Sequence, residues 1–151
     1  MSSKAKQGMK GTQTNAGFSR RIAAIIYDSF LVLAIWMIST TFLVAFLTDG
    51  EEIGGPVYQI FLYFEIGLFY IYFWSLKGQT LGMQVWKICT VDKNNQPLNI
   101  SKCLIRFLYA TIFLIPLGIG FFSLLLNREK LTWYDMASGT RVVYLGKNPY
   151  T

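Results

Sequence analysis

The chain alternates between long apolar runs and short polar segments. The first run covers residues 22–47 and the second covers residues 57–76. A membrane-spanning helix needs about 20 apolar residues, because each residue adds about 1.5 Å and the hydrocarbon core is about 30 Å thick. Both runs reach that length, so the pattern predicts two transmembrane helices. Pro56 precedes the second run and suits the first turn of a helix.

A third apolar run, residues 104–126, is interrupted by the sequence PLGIG at residues 116–120. Proline removes a helical hydrogen bond and glycine weakens a helix. The run therefore predicts either a kinked span or a re-entrant hairpin that returns to the side from which it entered. Asn99 or Ser101 is expected to cap the helix that opens this segment.

Two short segments are rich in residues that favour strands. They are residues 85–91, followed by a turn at residues 92–97, and residues 140–145. If the third run returns, these segments lie on one side of the membrane and can pair. The predicted fold class is an α-helical integral membrane protein with two full transmembrane helices, a third apolar segment broken at a Pro/Gly stretch, and a small cytoplasmic β-prone element.

The distribution of basic residues predicts the orientation of the helices. Five lysines and arginines precede the first apolar run, and the loop at residues 48–56 has none. The positive-inside rule then places the N-terminus in the cytoplasm, and also the C-terminus if the third segment returns. Residues 1–16 are predicted to be a disordered basic tail, residues 17–145 the membrane domain, and residues 146–151 a C-terminal tail.

Composition narrows the classes of function. The chain is 53 % hydrophobic and only 15 % charged, whereas soluble domains are about 25 % charged. Its net charge is +6, and the basic residues flank the apolar runs. This arrangement favours the lipid bilayer and its anionic phospholipids, not nucleic acid, as partner. There is no histidine, and Cys89 and Cys103 form no recognisable pattern, so neither a metal site nor a disulfide is predicted. No catalytic motif or cofactor-binding motif is present, so the chain is not expected to be an enzyme.

Two acidic side chains lie inside the predicted spans. Asp28 is near the cytoplasmic end of the first helix, and Glu65 is near the middle of the second. A charge at the bilayer centre costs about 3 kcal/mol, so such acids are candidate functional groups. Two interpretations remain open for each: an acid that holds helices together, and an acid that binds an ion or a proton.

Three stretches resemble the RDD family of bacterial membrane proteins, which is named for an arginine and two aspartates. They are RRIAAIIYD at residues 20–28, GQTLGMQVWKICTVDKNNQPL at residues 78–98, and WYDMASGTRVV at residues 133–143. By position, the charges that name the family would be Arg21, Asp28 and Asp135. The supporting charges are Arg20, Glu65 and Arg106, and the motif glycines and threonines are Gly78, Thr80, Gly82, Gly139 and Thr140.

The resemblance implies a protein of the bacterial inner membrane, and cation/proton exchange has been proposed for some members of the family. Three or four segments are too few to enclose a path, so transport of cations or protons would require a homo-oligomer. The alternative is a non-transporting accessory or scaffold subunit that docks a larger membrane protein complex.

Helix geometry predicts partners for the family charges. Arg21 and Asp28 are two helical turns, or about 10 Å, apart, and helical side chains lean toward the N-terminus, which points Arg21 away from Asp28. Arg106 enters the membrane from the same side as Asp28 and at a similar depth, so we predict that Asp28 pairs with Arg106. Asp135 returns at the cytoplasmic surface, toward which Arg21 points, so we predict that Arg21 pairs with Asp135. These pairs would tie the first helix to both ends of the third segment.

Overall fold

The computed structural model describes residues 14–48, 51–114, 123, 125–126 and 128–146. The helices and strands bounded within these residues are, in chain order, α1 (Phe18–Leu47), α2 (Pro56–Lys77), α3 (Leu81–Val85), β1 (Ile88–Asp92), α4 (Ile100–Leu114), α5 (Trp133–Ser138) and β2 (Thr140–Tyr144).

Helices α1 and α2, of 30 and 22 residues, are long and apolar enough to cross a membrane. They correspond to the two predicted spans. The α1 helix starts at Phe18, earlier than the apolar run, because the polar residues 19–21 are also helical. Pro56 occupies the first turn of α2, as expected. Large apolar side chains, Phe30 among them, remain exposed along α1, and lipid would cover them.

The two strands form an antiparallel sheet in which Ile88 lies opposite Tyr144 at one end. The segment before α1 extends this sheet, since the Ala16 N–H donates to the Val142 carbonyl oxygen at 2.8 Å. The two β-prone segments thus do pair. The first strand begins later than residue 85, because α3 and a turn occupy the first part of that segment.

The third apolar segment begins as helix α4. Asn99 caps it, because its Oδ1 accepts a hydrogen bond from the Lys102 N–H at 2.9 Å. The helix packs against α2 at Gly67, where an added Cβ would lie 3.2 Å from the Phe107 ring. The PLGIG stretch, and with it the choice between a kinked span and a hairpin, lies outside the described residues.

The buried core lies at one end of the α1–α2 pair, where α3, α4 and the sheet meet. Its members are Ala16, Ala24, Trp74, Met83, Ile88, Leu98, Cys103, Phe107 and Val142. On α1 the buried residues are Arg21, Ala24, Asp28 and Val32, whose spacing of three and four places them on one face. Two of the three family charges, Arg21 and Asp28, therefore face the core from the first half of α1.

Candidate functional site

Three charged side chains form a buried cluster beside the core. Arg21 of α1, Arg106 of α4 and Asp135 of α5 are 3 %, 2 % and 0 % exposed. The Asp135 Oδ2 lies 2.5 Å from Arg21 Nη1, and its Oδ1 lies 2.6 Å from Arg106 Nη1. One carboxylate therefore holds two guanidinium groups, and the ionised cluster has a net charge of +1.

The local sequence around Asp135 fixes its orientation. The Thr132 hydroxyl accepts from the Asp135 N–H at 3.2 Å, and Asp135 Oδ2 accepts from the Thr132 N–H at 3.1 Å, which is a capping box at the start of α5. The helix ends at Gly139, which has a φ of 63°, a value that glycine adopts without steric cost. The next residue, Thr140, accepts a hydrogen bond from Arg106 Nη1. This short segment thus wraps around the Arg106 guanidinium.

The remaining contacts hold both arginines in place. Arg21 donates from Nε to the Ala16 carbonyl at 3.3 Å and from Nη2 to the Lys130 carbonyl at 3.1 Å. The guanidinium carbon of Arg106 lies 5.1 Å from the ring centroids of both Trp74 and Tyr134. Aromatic rings attract a cation and partly offset the unneutralised positive charge. The predicted pair between Arg21 and Asp135 is confirmed.

Burial and the neighbouring positive charges shift the pKa of Asp135 in opposite directions. Burial alone raises the pKa of its carboxyl, but Arg106, Arg21 and the hydrogen bonds outweigh burial, so the pKa lies below its usual range. Burial also raises the pKa of Tyr134, and the neighbouring Asp135 carboxylate raises it further. At neutral pH, Asp135 is therefore ionised and Tyr134 keeps its proton.

Asp28 does not pair with Arg106, so that prediction was wrong. Its Oδ2 accepts from the Thr80 hydroxyl at 2.5 Å, and its Oδ1 accepts from the Gly82 N–H at 2.8 Å. These donors form the N-terminus of α3, where a carboxylate is favourable because the first N–H groups of a helix lack internal partners. Arg106 instead reaches Asp135. Asp28 is 1 % exposed and is a cap for α3.

Gly82 allows this arrangement. A Cβ there would overlap the Ala24 carbonyl oxygen and lie 2.9 Å from Asp28 Oδ1. The other motif glycine of this stretch, Gly78, ends α2 with a φ of 67°, whereas Gly82 forms a close contact between two helices of the same chain.

A line of polar contacts, here called the polar seam, joins α1 to α2 away from the core. It consists of Trp36, Ser39 and Thr40 of α1 and Tyr58, Leu62 and Glu65 of α2. Ser39 Oγ donates to Glu65 Oε2 at 3.0 Å, and the Thr40 and Tyr58 hydroxyls are 2.5 Å apart. Glu65 is half-buried. Within the described ranges, no basic side chain forms an ion pair with it.

The remaining supporting residues lie at the sheet end of the molecule. The Arg20 guanidinium stacks 3.9 Å from the centroid of the Tyr144 ring. The Gly78 carbonyl accepts from the Thr90 N–H at 2.7 Å, which ties the end of α2 to β1. Cys89 and Cys103 are buried free thiols. Among the residues whose positions are described, no cluster of acidic, cysteine or histidine side chains could hold a metal ion.

Comparison with known proteins identifies the family. The family model described as RDD family matches residues 15–139. No curated protein and no solved structure matches the chain. The matched residues cover most of the sequence and include Arg21, Asp28 and Asp135. The chain therefore belongs to the RDD family.

Proposed function

We propose that this RDD protein resides in the bacterial inner membrane with the sheet, the N-terminus and the C-terminal tail in the cytoplasm. The segment before α1 hydrogen-bonds to β2, and β2 pairs with β1, so these parts share one side of any membrane that α1 and α2 cross. Exposed Lys87 and Lys93 flank β1, whereas exposed Glu51 and Glu52 precede α2 at the other end. The positive-inside rule supports a cytoplasmic sheet. The third apolar segment lies between β1 and β2 in the chain, and both strands lie on one side of the membrane, which supports a third segment that returns to that side.

Thiol labelling tests this topology in a variant with Cys89→Ser and Cys103→Ser. We expect a cysteine at Glu52 to react with a membrane-impermeant maleimide in intact cells, because Glu52 lies before α2 on the outer side. A cysteine at Lys93 should react only after the membrane is permeabilised. Rapid labelling at position 93 in intact cells would reverse the proposed orientation.

We further propose that the protein moves protons or cations as a homo-oligomer, with Glu65 as the carboxylate that binds the ion. The observation that carries this proposal is the environment of Glu65, which is half-buried near the middle of α2 beside one hydroxyl group. A charged carboxylate at that depth costs about 3 kcal/mol, which makes Glu65 a candidate group for ion binding. Asp28 is unsuitable for this role because both of its oxygens accept hydrogen bonds and it is closed to solvent.

The polar seam supports the same assignment. Its Thr40–Tyr58 contact lies near the outer ends of α1 and α2, and its Ser39–Glu65 contact lies deeper. Hydroxyl groups donate and accept hydrogen bonds, so they can pass a proton or supply oxygen ligands to a cation. The two spanning helices found among the described residues do not enclose a lumen, so a second copy of the chain would cover the open side of Glu65.

Glu65→Gln is expected to reduce ion flux to the background of protein-free liposomes. The amide is of similar size and can still accept from Ser39, so the free energy of unfolding should change by about 0.5 kcal/mol or less. The assay uses purified protein in liposomes that contain a pH-sensitive dye, with sodium or potassium gradients imposed in turn. Glu51→Gln, in the exposed outer loop, is the charge-matched control. Undiminished flux in Glu65→Gln would contradict the assignment.

The second candidate is a non-transporting accessory or scaffold subunit. The burial of the three family charges favours it. Arg21, Asp28 and Asp135 are all almost fully buried and hold elements of the chain together, which suits a structural role for the motif. Wild-type protein that carries no flux with either cation would support this candidate and contradict proton movement coupled to sodium or potassium.

A further inference from the structure

We propose that Ser39 is a positioning residue that makes Glu65 a site for a proton and not for a metal cation. In this arrangement the protonated Glu65 carboxyl group donates to Ser39 Oγ, and the Ser39 hydroxyl donates in turn to the Trp36 carbonyl oxygen. The inference rests on the proposed assignment of Glu65 as the ion-binding group, and it specifies the ion.

The Ser39 hydroxyl has two oxygen atoms within hydrogen-bond distance. Its Oγ lies 3.0 Å from Glu65 Oε2 and 3.2 Å from the Trp36 carbonyl oxygen. A hydroxyl group has one hydrogen to donate and two lone pairs that accept. Ser39 therefore cannot donate a full hydrogen bond to both oxygens at once, so one of the two contacts needs a donor on the other side.

A proton on Glu65 satisfies both contacts. A backbone carbonyl only accepts, so the Ser39 hydrogen goes to Trp36, which is a common bond of a helical serine to the preceding turn. The lone pairs of Ser39 Oγ then accept from the protonated Glu65 carboxyl group. If Glu65 is ionised, both neighbours of Ser39 Oγ are acceptors and one of them loses its hydrogen bond.

The other donors of the polar seam are directed elsewhere. The Trp36 indole N–H donates to the Leu62 carbonyl oxygen at 3.2 Å. The Thr40 and Tyr58 hydroxyls bond to each other. Across the described ranges, Ser39 alone contacts the Glu65 carboxyl group by a hydrogen bond or ion pair. An ionised Glu65 would thus keep at most one hydrogen bond, whereas a charge at the bilayer centre costs about 3 kcal/mol.

A metal cation is a poorer match than a proton for this group. A cation that enters a site loses part of its hydration shell and needs several oxygen ligands as replacement. Beside Glu65 the described residues provide one hydroxyl group, that of Ser39. Nor do they contain a group of three acidic, cysteine or histidine side chains that could hold a metal. A proton on Glu65 needs a single acceptor, which Ser39 Oγ supplies.

Reaction with dicyclohexylcarbodiimide tests which ion Glu65 binds. This apolar reagent adds to a protonated carboxyl group within the membrane and raises the mass of the chain by one reagent molecule. In neutral detergent without added sodium or potassium, we expect the wild-type protein to gain an adduct that Glu65→Gln lacks, measured by mass spectrometry. Sodium chloride or potassium chloride should leave the labelling rate as it is in choline chloride of the same concentration.

Infrared spectroscopy tests the role of Ser39. The wild-type protein should show a carboxyl C=O stretching band that Glu65→Gln lacks. Ser39→Ala should move this band to higher frequency, because a carboxyl group without a hydrogen bond absorbs at higher frequency than a bonded one. Ser39→Thr keeps the hydroxyl and should keep the wild-type position. Ser75→Ala is the matched control, since Ser75 Oγ also donates to a carbonyl of its own helix, that of Tyr72, at 3.0 Å.

Three results would overturn the proposal. Labelling that slows in sodium or potassium chloride but not in choline chloride would show that a cation occupies Glu65. A band that stays in place in Ser39→Ala would show that Ser39 does not hold the proton. Absence of the Glu65 band would show an ionised carboxylate, and the band decides if the carbodiimide does not reach Glu65.

These measurements separate the inference from the proposed transport, because none of them requires ion flux. A wild-type protein with the Glu65 band and adduct but without flux would contradict transport and leave proton binding supported. A protein that carries flux but shows sodium-dependent protection of Glu65 would support transport and overturn the choice of a proton.

Discussion

Asp135→Asn is expected to lower the free energy of unfolding by about 3–5 kcal/mol, because it leaves two buried guanidinium groups without their shared counter-ion. Asparagine keeps the shape of the side chain and one oxygen, so the loss reflects charge and not volume. That loss is a large fraction of the stability of a typical protein, which is about 5–15 kcal/mol. Chemical denaturation in detergent, together with the yield of folded protein, measures the effect.

The charge of the cluster provides an internal check on this prediction. The cluster carries +1 with all three groups ionised, +2 in Asp135→Asn, and again +1 when Arg106→Gln is added. The double variant should therefore be more stable than Asp135→Asn alone, which is the opposite of additive losses. Glu51→Gln, a loss of one negative charge at an exposed position, is the control. An Asp135→Asn protein as stable as that control would contradict the role assigned to the cluster.

The same cluster predicts how stability depends on pH. The pKa of Asp135 is lowered in the folded state, whereas an unfolded aspartate has a pKa of about 3.9. Its contribution is therefore complete above that value and is lost as the pH falls through the folded-state pKa. Arg106→Gln removes one of the two cations, so the pKa of Asp135 should rise and the midpoint of acid unfolding should move to higher pH.

Length and hydropathy were sufficient to identify α1 and α2 from the sequence. A run of about 20 apolar residues has few alternatives to a membrane span. The structure extends the first run at its start and the second run by one residue at each end. Those ends were less predictable, because Arg20 and Arg21 are polar yet helical. A hydropathy pattern does not distinguish a helix that continues into the headgroup region from a polar tail.

The partner of Asp28 was not predictable from hydropathy and helix geometry. The prediction assumed that α4 would face Asp28, because Arg106 was expected at a similar depth. The α3 helix has five residues, fewer than the windows in which helical periodicity is recognised, and it overlaps the start of a β-prone segment. The local signal was Thr80, a good N-cap residue whose hydroxyl accepts from the Met83 N–H at 3.2 Å.

The ion pair between Arg21 and Asp135 was predictable from the sequence, unlike the partner of Asp28. The resemblance to the RDD family singled out both residues, and the N-terminal lean of helical side chains directed Arg21 away from Asp28. The capping box that holds Asp135 was not anticipated, although Thr132 stands three residues before it. The contact between Ser39 and Glu65 depends on how α1 and α2 pack, which neither helix encodes alone.

Gly82→Ala is expected to destabilise the protein by about 3 kcal/mol. The new methyl group would overlap the Ala24 carbonyl oxygen, which is backbone and has little freedom to move. Extra volume in a packed interface costs about 1–3 kcal/mol. Displacement of α3 would also weaken the hydrogen bonds that the Asp28 carboxylate accepts, and bonds to charged groups contribute about 1.5–3 kcal/mol. Thermal and chemical unfolding in detergent measure the loss.

Gly54→Ala is the matched control, because an added Cβ at Gly54 has no heavy atom within 4 Å. It should change stability by about 0.5 kcal/mol or less. Combining Gly82→Ala with Asp28→Asn provides the sharper test. If Gly82 acts by letting α3 reach Asp28, the combined loss should be smaller than the sum of the separate losses, because either change breaks the same contacts. Fully additive losses, or a Gly82→Ala protein as stable as Gly54→Ala, would mean that α3 does not depend on Asp28 for its position.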